Sequence, residues 1–289
     1  MSNVFYKHCE AQAMPDKSKL RGASFNIPSN RLLVKTLGEY DALVEYQEVA
    51  NRLMLNEQES SKEPFRDYLA RVSKDVKINL NDITLQDYKS AIIQGYLVFP
   101  NASFDDFLDG FVDDVRILID DQFNIGKNKK GCNFEKIVDA LKDITITLTI
   151  DQDKVNLYHY YRLLRNDLAH RLNKEYTKEF NTIDKNAIKA HYPTLLGPNQ
   201  KSSLCFDDFI LCTANIKSIA FEMTKSLLPY IKWKDVILAN KEMWIPKYKR
   251  FLMENRIKRL HTYINTTLFN IYGVELEEYD LISISGSLE

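Results

Sequence analysis

The sequence predicts an all-α protein, and three observations lead to this prediction. Apolar residues recur at three- and four-residue steps through most of the chain, as they do along the buried face of a helix. Helix-starting and helix-stopping residues flank these stretches. Residues 144–150 alternate as a strand would, but they are few and lie between helical patterns, so we interpret them as a buried connector. We therefore expect a helical bundle with an N-terminal arm and a short helical C-terminal extension.

The chain begins with a predicted arm, which three predicted helices follow. Residues 1–30 carry Pro and Gly among polar residues without a clear period, which is typical of an irregular arm. A second, short helix opens at Pro64, and a third opens near Thr84 and is stopped by Pro100. The first helix begins near residue 31, and its apolar positions are Leu33, Leu37, Tyr40, Val44, Val49 and Leu53.

The fourth predicted helix, residues 103–121, has the clearest pattern in the chain. Ser103, with Asp106 three residues later, resembles a capping box at its start. The opposite face is acidic and places Asp109 and Asp113 at i, i+4, a spacing that a two-metal nuclease could use. Because no His or Glu joins them at ligand spacing, we favour a solvated surface. The apolar stripe consists of Phe104, Phe107, Leu108, Phe111, Val112, Val115, Leu118 and Ile119.

The second half of the chain continues the helical pattern. The last five residues, Ser285–Glu289, resemble an expression-vector scar, and we leave them out of the fold. We expect three parts: an arm over 1–30, a helical domain over 31–229, and a basic, aromatic helical extension over 230–284. The predicted elements are helices over 134–142, 152–176 and 206–228, a mostly irregular segment over 177–204, and two or three short helices after residue 230.

Composition excludes several classes of protein. The chain has 289 residues with 45% apolar residues and a formal net charge of −1, so it is globular and any contact with nucleic acid must use a local basic patch. No apolar leader and no run of 18 apolar residues is present, which argues against a membrane protein. The four cysteines have no paired spacing, which is typical of a reducing compartment. We expect a cytoplasmic protein.

The long helix over 152–176 carries an unusual polar face. In a helical projection of residues 156–173, Tyr161, Leu164, Leu168 and Leu172 form the face toward the core. Arg165 lies on the flank. His and Asn are poor helix formers and unusual choices for a merely solvated face. The residues nearly opposite the core are His159, Asn166, His170 and Asn173, with Arg162 at the margin.

The segment Arg165-Asn166-Asp167-Leu168-Ala169-His170 resembles the motif of the HEPN (higher eukaryotes and prokaryotes nucleotide-binding) family. Active members of that family carry an Arg, often followed directly by Asn, and a His a few residues later. The resemblance covers about residues 31–229, and outside the hexapeptide it is one of helical pattern. It implies a HEPN-like helical bundle and a metal-independent endoribonuclease that works as a homodimer.

The motif residues fit that chemistry. His170 can exchange a proton near neutral pH, and Arg165 stays charged and offers a forked set of donors to phosphate oxygens. Asn166 shares a face with His170 and could orient its ring or bind the sugar–phosphate. The resemblance implies a composite cleft with two His and two Arg, products with a 2′,3′-cyclic phosphate and a 5′-hydroxyl, and a role as a toxin or antiviral (abortive-infection) effector. It also implies an antitoxin or regulatory partner; we expect no cofactor and no metal.

Several alternatives stay open at this point. The chain could be a non-catalytic HEPN-like module that binds RNA, a nucleotide or a protein, or a helical scaffold with an accidental motif. The C-terminal extension interleaves basic residues with Trp244, Tyr248, Phe251 and Tyr263, which suits either single-stranded RNA or aromatic packing. The basic candidates for RNA contact are Lys127, Lys129 and Lys130 in a glycine-flanked loop and Lys247, Lys249 and Arg250 in the extension.

Overall fold

A computed structural model describes residues 25–127, 129–170, 172 and 174–288. Every regular element among these residues is helical, which confirms the prediction of an all-α protein. None of the helices described is long and apolar enough to cross a membrane. In chain order they are α1 Pro28–Ser61, α2 Phe65–Asp75, α3 Leu85–Tyr96, α4 Val98–Leu118, α5 Asn133–Asp143, α6 Gln152–His170, α7 Thr177–Asn181, α8 Lys185–His191, α9 Phe206–Leu227, α10 Trp233–Ala239, α11 Lys241–Trp244, α12 Tyr248–Met253, α13 Ile257–Tyr272 and α14 Glu278–Leu288.

The chain divides into two compact units. The larger comprises residues 27–236, and the described part of the smaller comprises residues 25–26 and 237–288. The predicted boundaries were residues 30 and 229. Most of the predicted arm lies outside the described residues, but its end differs from expectation, because α1 already begins at Pro28, whose fixed φ and missing N–H suit the first turn of a helix.

The core of the larger unit lies among α1, α4, α6 and α9; α4 and α9 pack against each other, and each packs against both α1 and α6. The apolar stripe of α4 is buried as predicted from Phe104 to Leu118. Asp114 of this helix is also buried, although it is charged. Its carboxylate accepts a hydrogen bond of 3.1 Å from the backbone N–H of Ser29 at the start of α1, so this charge fastens two helices together.

The apolar pattern of α1 was extended too far. Leu33, Leu37 and Val44 are buried, but Val49 and Leu53 are 57% and 64% exposed. Residues four apart lie on the same face of a helix, so the buried face continues from Val44 to Glu48. Its carboxylate is buried and accepts from Arg52 Nε at 2.8 Å. The one-residue drift in the apolar pattern therefore carries Val49 and Leu53 away from the core.

The third predicted helix ends at Tyr96 as expected, but the roles predicted for Pro100 and Ser103 were wrong. Pro100 does not stop α3; it lies in the first turn of α4, where a missing N–H costs no hydrogen bond. Ser103 is consequently a buried residue inside α4 and not its cap. The segment 177–204 is less irregular than expected, because α7 and α8 lie within it; Asp184 caps α8 by accepting from the N–H groups of Asn186 and Ala187.

The connector over 144–150 forms no strand, as interpreted from the sequence. Ile146 is buried, and backbone N–H groups that a strand would have paired instead donate to side chains. The N–H of Thr149 donates to Ser226 Oγ at 2.9 Å, and that of Thr147 donates to the hydroxyl of Tyr230 at 3.3 Å. Side chains thus satisfy two of the donors that an isolated strand would expose.

The smaller unit is more helical than predicted and includes α11 to α14. Leu260, Ile264 and Leu268 of α13 are buried on one face, and α14 packs against that helix. The residues set aside as a vector scar continue α14, where Ser285 and Leu288 are buried. Their short, mixed composition concealed a helical period that only the packing against α13 reveals.

Candidate functional site

Helix α6 carries the predicted motif and is held firmly along its first four turns. Asp151 caps it by accepting from the N–H of Asp153 at 2.9 Å. Its buried face includes Tyr161, whose hydroxyl donates to the fully buried Asp208 of α9 at 2.9 Å. Asn215 of α9 donates to the carbonyl of Lys154 at 2.9 Å. The motif therefore stands on a helix fixed by buried polar contacts as well as by apolar packing.

The helix ends at His170 and not at residue 176, because of Asp167. This carboxylate is buried, accepts from the N–H of Lys174 at 2.9 Å, and pairs with Lys201 at 2.8 Å. The backbone at Lys174 and the side chain of Lys201 are held against α6 in this way. As a result Leu172 is 44% exposed and Leu168 only half-buried, so the predicted apolar stripe ends at Leu164.

The pKa of Asp167 reflects these contacts. Burial raises the pKa of the carboxyl, but the hydrogen bond from Lys174 and the ammonium of Lys201 outweigh it and hold the pKa below its usual value. Asp167 is therefore ionised at neutral pH. Within the hexapeptide it is the residue that faces inward, and it sets the place at which the helix carrying His170 stops.

Two motif residues touch each other. Arg165 Nη1 donates to Asn166 Oδ1 at 2.9 Å, and both side chains are half-buried. His170 is exposed on the last residue of α6, one turn beyond Asn166 and on the same face. The sequence projection placed Arg165 apart on the flank; the direct contact with Asn166 was not foreseen, because it depends on the rotamers of neighbouring residues.

An acidic side chain of α4 faces the arginines of α6. The charges of Arg165 and Arg162 act on Asp105; burial raises the pKa of this carboxyl and the two guanidinium groups partly offset the rise. The Nε atoms of Arg162 and Arg165 are buried and have no hydrogen-bond partner among the described residues. The guanidinium groups thus have donor capacity that their own surroundings do not fully use.

His159 was predicted beside Asn166 and His170 on an open polar face, but it packs on α5. Its Nε2 lies 3.7 Å from Glu135 Oε1, and its ring contacts those of Phe134 and Tyr158. Cys132, at the start of α5, joins Glu135 and His159 in one cluster. The middle of α6, at His159, therefore faces the start of α5, whereas His170 in the last turn is exposed.

The other predicted contacts with RNA are scattered. Lys127 and Lys130 are exposed in their loop, whereas Lys129 pairs with Asp143 at 2.6 Å. Asn173 lies outside the described residues.

The predicted basic candidates of the extension belong to the smaller unit. Lys247 is exposed, Lys249 pairs with Glu242 at 3.1 Å, and Arg250 pairs with Glu254 at 2.9 Å. Of the aromatic residues there, Trp244 and Tyr248 are buried, which favours the packing interpretation for these two over base stacking.

Sequence reasoning missed Asp105, Cys132, Glu135 and the inward role of Asp167. A signal existed for one pair only, since Cys132 and Glu135 have the spacing of a capping box at a helix start. Asp105 lies on a different helix from the arginines it faces, and no spacing along the chain indicates that approach.

No known family model matches the chain, and neither a curated protein nor a solved structure does so. The HEPN resemblance therefore rests on the hexapeptide and on its place late in α6, between the amphipathic helices α4 and α9.

Proposed function

We propose that this protein is a metal-independent endoribonuclease of the HEPN type. The observation that carries the proposal is the arrangement at the end of α6, where the paired Arg165 and Asn166 stand one turn before an exposed His170. Within two turns of one helix there are thus a group that could bind phosphate (Arg165), one that could transfer a proton (His170) and one that could orient either (Asn166). Such a set suits RNA cleavage, in which charge develops on phosphorus while protons move.

The reaction would proceed by attack of the 2′-oxygen on the adjacent phosphorus. One His170 takes the proton of the 2′-hydroxyl, and a second acid returns a proton to the 5′-oxygen as its bond to phosphorus breaks. The guanidinium of Arg165 binds the nonbridging oxygens as their charge grows. The products are a 2′,3′-cyclic phosphate and a 5′-hydroxyl.

A single chain supplies one His and one Arg to this scheme. We therefore propose that two copies bring their α6 ends together, so that His170 of one copy acts as base and His170 of the other as acid. The exposed position of His170 on the last residue of the helix supports this arrangement, because a second copy could reach it. A toxin or defence role, with an antitoxin or regulatory partner, follows from the HEPN resemblance and is part of the same proposal.

The first test is cleavage of total RNA by the purified protein in EDTA. We expect wild-type protein to cleave, leaving 5′-hydroxyl and cyclic-phosphate ends, and His170→Ala to be slower by at least about 100-fold, as loss of general acid–base catalysis predicts. Arg165→Lys keeps the charge but loses the forked donors, and we expect it to be impaired as well. End-group labelling and gel electrophoresis measure both effects.

His191→Ala is the matched control. His191 is also at the end of a helix and outside the motif. The substitution removes a partly exposed pair with Asp151 at 2.9 Å and a ring contact with Tyr192, and both should cost little. This variant should cleave as wild type does. Equal cleavage by wild type and His170→Ala, or a requirement for a divalent metal, would overturn the proposal. RNA binding without cleavage would favour the non-catalytic module.

A further inference from the structure

Three side chains that bind transition metals meet between α5 and α6. The ligand atoms of Cys132, Glu135 and His159 all lie within 4.8 Å of one another, and His159 Nε2 is 3.7 Å from Glu135 Oε1. The last distance exceeds a hydrogen bond, so the histidine nitrogen and the carboxylate oxygen face each other without a proton shared between them. Two electron-pair donors at this separation could both bind one metal ion placed between them.

Local structure holds two of these side chains in place. Cys132 is the N-cap of α5, and its backbone N–H donates to Glu135 Oε2 at 2.8 Å, while the thiol receives the N–H of Glu135. Gly131 allows this fold-back: its φ is +99°, and a Cβ there would lie 2.3 Å from Glu135 Oε2. One carboxylate oxygen is thus engaged in the cap and the other, Oε1, is turned toward His159.

The separation between His159 and Glu135 is close to that of two ligands in a tetrahedral zinc site, and the sulfur of Cys132 lies within 4.8 Å of both. With metal–nitrogen and metal–oxygen bonds near 2.0–2.1 Å, two ligands of one zinc ion are about 3.4 Å apart, and with a sulfur ligand about 3.6 Å. The observed 3.7 Å between His159 and Glu135 needs only a small side-chain movement to reach this value. Three protein ligands leave the fourth position to water, as in open zinc sites.

The types of side chain suit a cation of the zinc class. Zinc binds thiolate, carboxylate and neutral imidazole ligands, and a bound ion would displace the proton of the Cys132 thiol to solvent.

Arg162 lies close enough for its positive charge to act on all three side chains, so a bound cation must not add further positive charge there. A thiolate, a carboxylate and a neutral imidazole together cancel the two charges of a divalent ion. The loaded site would therefore add no net positive charge next to the guanidinium. The ion would join the start of α5 to the middle of α6.

We propose that Cys132, Glu135 and His159 form a binding site for a divalent transition metal of the zinc class. His159 and His170 are eleven residues apart on α6, about 16 Å along the axis, so the metal site is separate from the proposed nuclease centre. It would stabilise the α5–α6 junction, and it does not depend on the proposed nuclease function.

Binding of Zn²⁺ and Co²⁺ to the full-length, metal-stripped protein tests this site. We expect one Co²⁺ per chain at this site, with tetrahedral d–d bands and a thiolate-to-cobalt charge-transfer band, and a rise in Tm with Zn²⁺. Cys132→Ser should remove the charge-transfer band and weaken Zn²⁺ binding at least about tenfold. Loss of a residue that only hydrogen-bonds a metal ligand already lowers affinity by about 10- to 100-fold. Because Ser is a preferred N-cap, this variant should fold.

The chain contains a matched control for the cysteine. Cys205 caps α9 through the same type of box with Asp208, but no histidine joins that pair in any metal-ligand cluster among the described residues. Cys205→Ser should keep the wild-type spectrum and affinity. His159→Ala should lose affinity while retaining the capping box.

Three outcomes would overturn the site. One is a wild-type protein that binds neither ion; another is a cobalt spectrum without the thiolate band. The third is unchanged Zn²⁺ affinity in both Cys132→Ser and His159→Ala. RNA cleavage in EDTA is not a readout here, so failure of the nuclease proposal would leave these measurements unaffected.

Discussion

Asp167 shows how one residue inside a catalytic-looking motif can have a structural task. Its neighbours in the hexapeptide, Asn166 and Leu168, are half-buried, whereas Asp167 is buried and binds two positions further along the chain, Lys174 and Lys201. Removing one partner of a buried ion pair leaves the other charge without compensation. The position of His170 at the end of α6 therefore depends on an acidic residue that need not touch RNA.

We expect Asp167→Asn to destabilise the protein by about 3 kcal/mol at neutral pH, because it leaves the ammonium of Lys201 unpaired in a largely buried place. Urea denaturation measures the loss. A second variant, Asp167→Asn with Lys201→Met, should recover part of it, since neither charge then remains. Additive losses in the double variant would contradict the pairing.

The same carboxyl predicts a pH dependence. Its pKa is lower in the folded protein than in the unfolded chain, so its contribution to stability is present above the unfolded pKa, about 3.9, and is lost as pH falls through the folded pKa. The stability difference between wild type and Asp167→Asn should be constant above about pH 5 and shrink below about pH 4. A difference that grows toward acid pH would refute this assignment.

The apolar pattern of α4 predicted correctly which residues are buried, whereas that of α1 did so only in its first half. The α4 stripe keeps one face without drift, and its Phe104 and Phe111 are fully buried. The α1 pattern drifts by one residue after Val44, and the core then receives Glu48 instead of an apolar residue. An apolar pattern therefore indicates a helix in both cases, but it locates the core only where its phase is kept.

This difference gives a paired prediction for stability. Phe111→Ala should cost about 3–5 kcal/mol, because it removes a fully buried ring and leaves a cavity among packed helices. Leu53→Ala, at a position 64% exposed, should change stability by less than about 0.5 kcal/mol. Urea denaturation of both variants measures the contrast, and a similar loss in both would show that the second half of α1 is covered in solution.

At the scale of the whole molecule, net charge bears on how RNA could bind, and assembly bears on whether the proposed site is complete. A net charge of −1 gives RNA no general attraction, so binding must depend on local donors such as those at the end of α6. The proposed chemistry needs two His and two Arg, and one chain offers half of that set. The assembly state is thus part of the functional proposal.

We expect the protein in solution to have twice the 33.7 kDa mass of one chain, because the composite site requires two copies. Light scattering coupled to gel filtration measures this mass at several concentrations. A monomer at the concentration where RNA is cleaved would exclude the composite site while leaving a one-chain nuclease possible.

The sequence by itself determined the helical class, the apolar stripe of α4 and the placing of the hexapeptide on a long helix. These features depend on periodicity and local capping, which are properties of neighbours along the chain.

Tertiary structure alone decided where α6 ends, that Asp105 faces Arg165, and that His159 turns toward Glu135 and Cys132. Each of these features joins residues from different helices or from distant parts of the chain, and such pairs have no fixed spacing in the sequence. The helix that carries the motif could thus be predicted from the sequence, whereas the surroundings of its arginines and histidines could not.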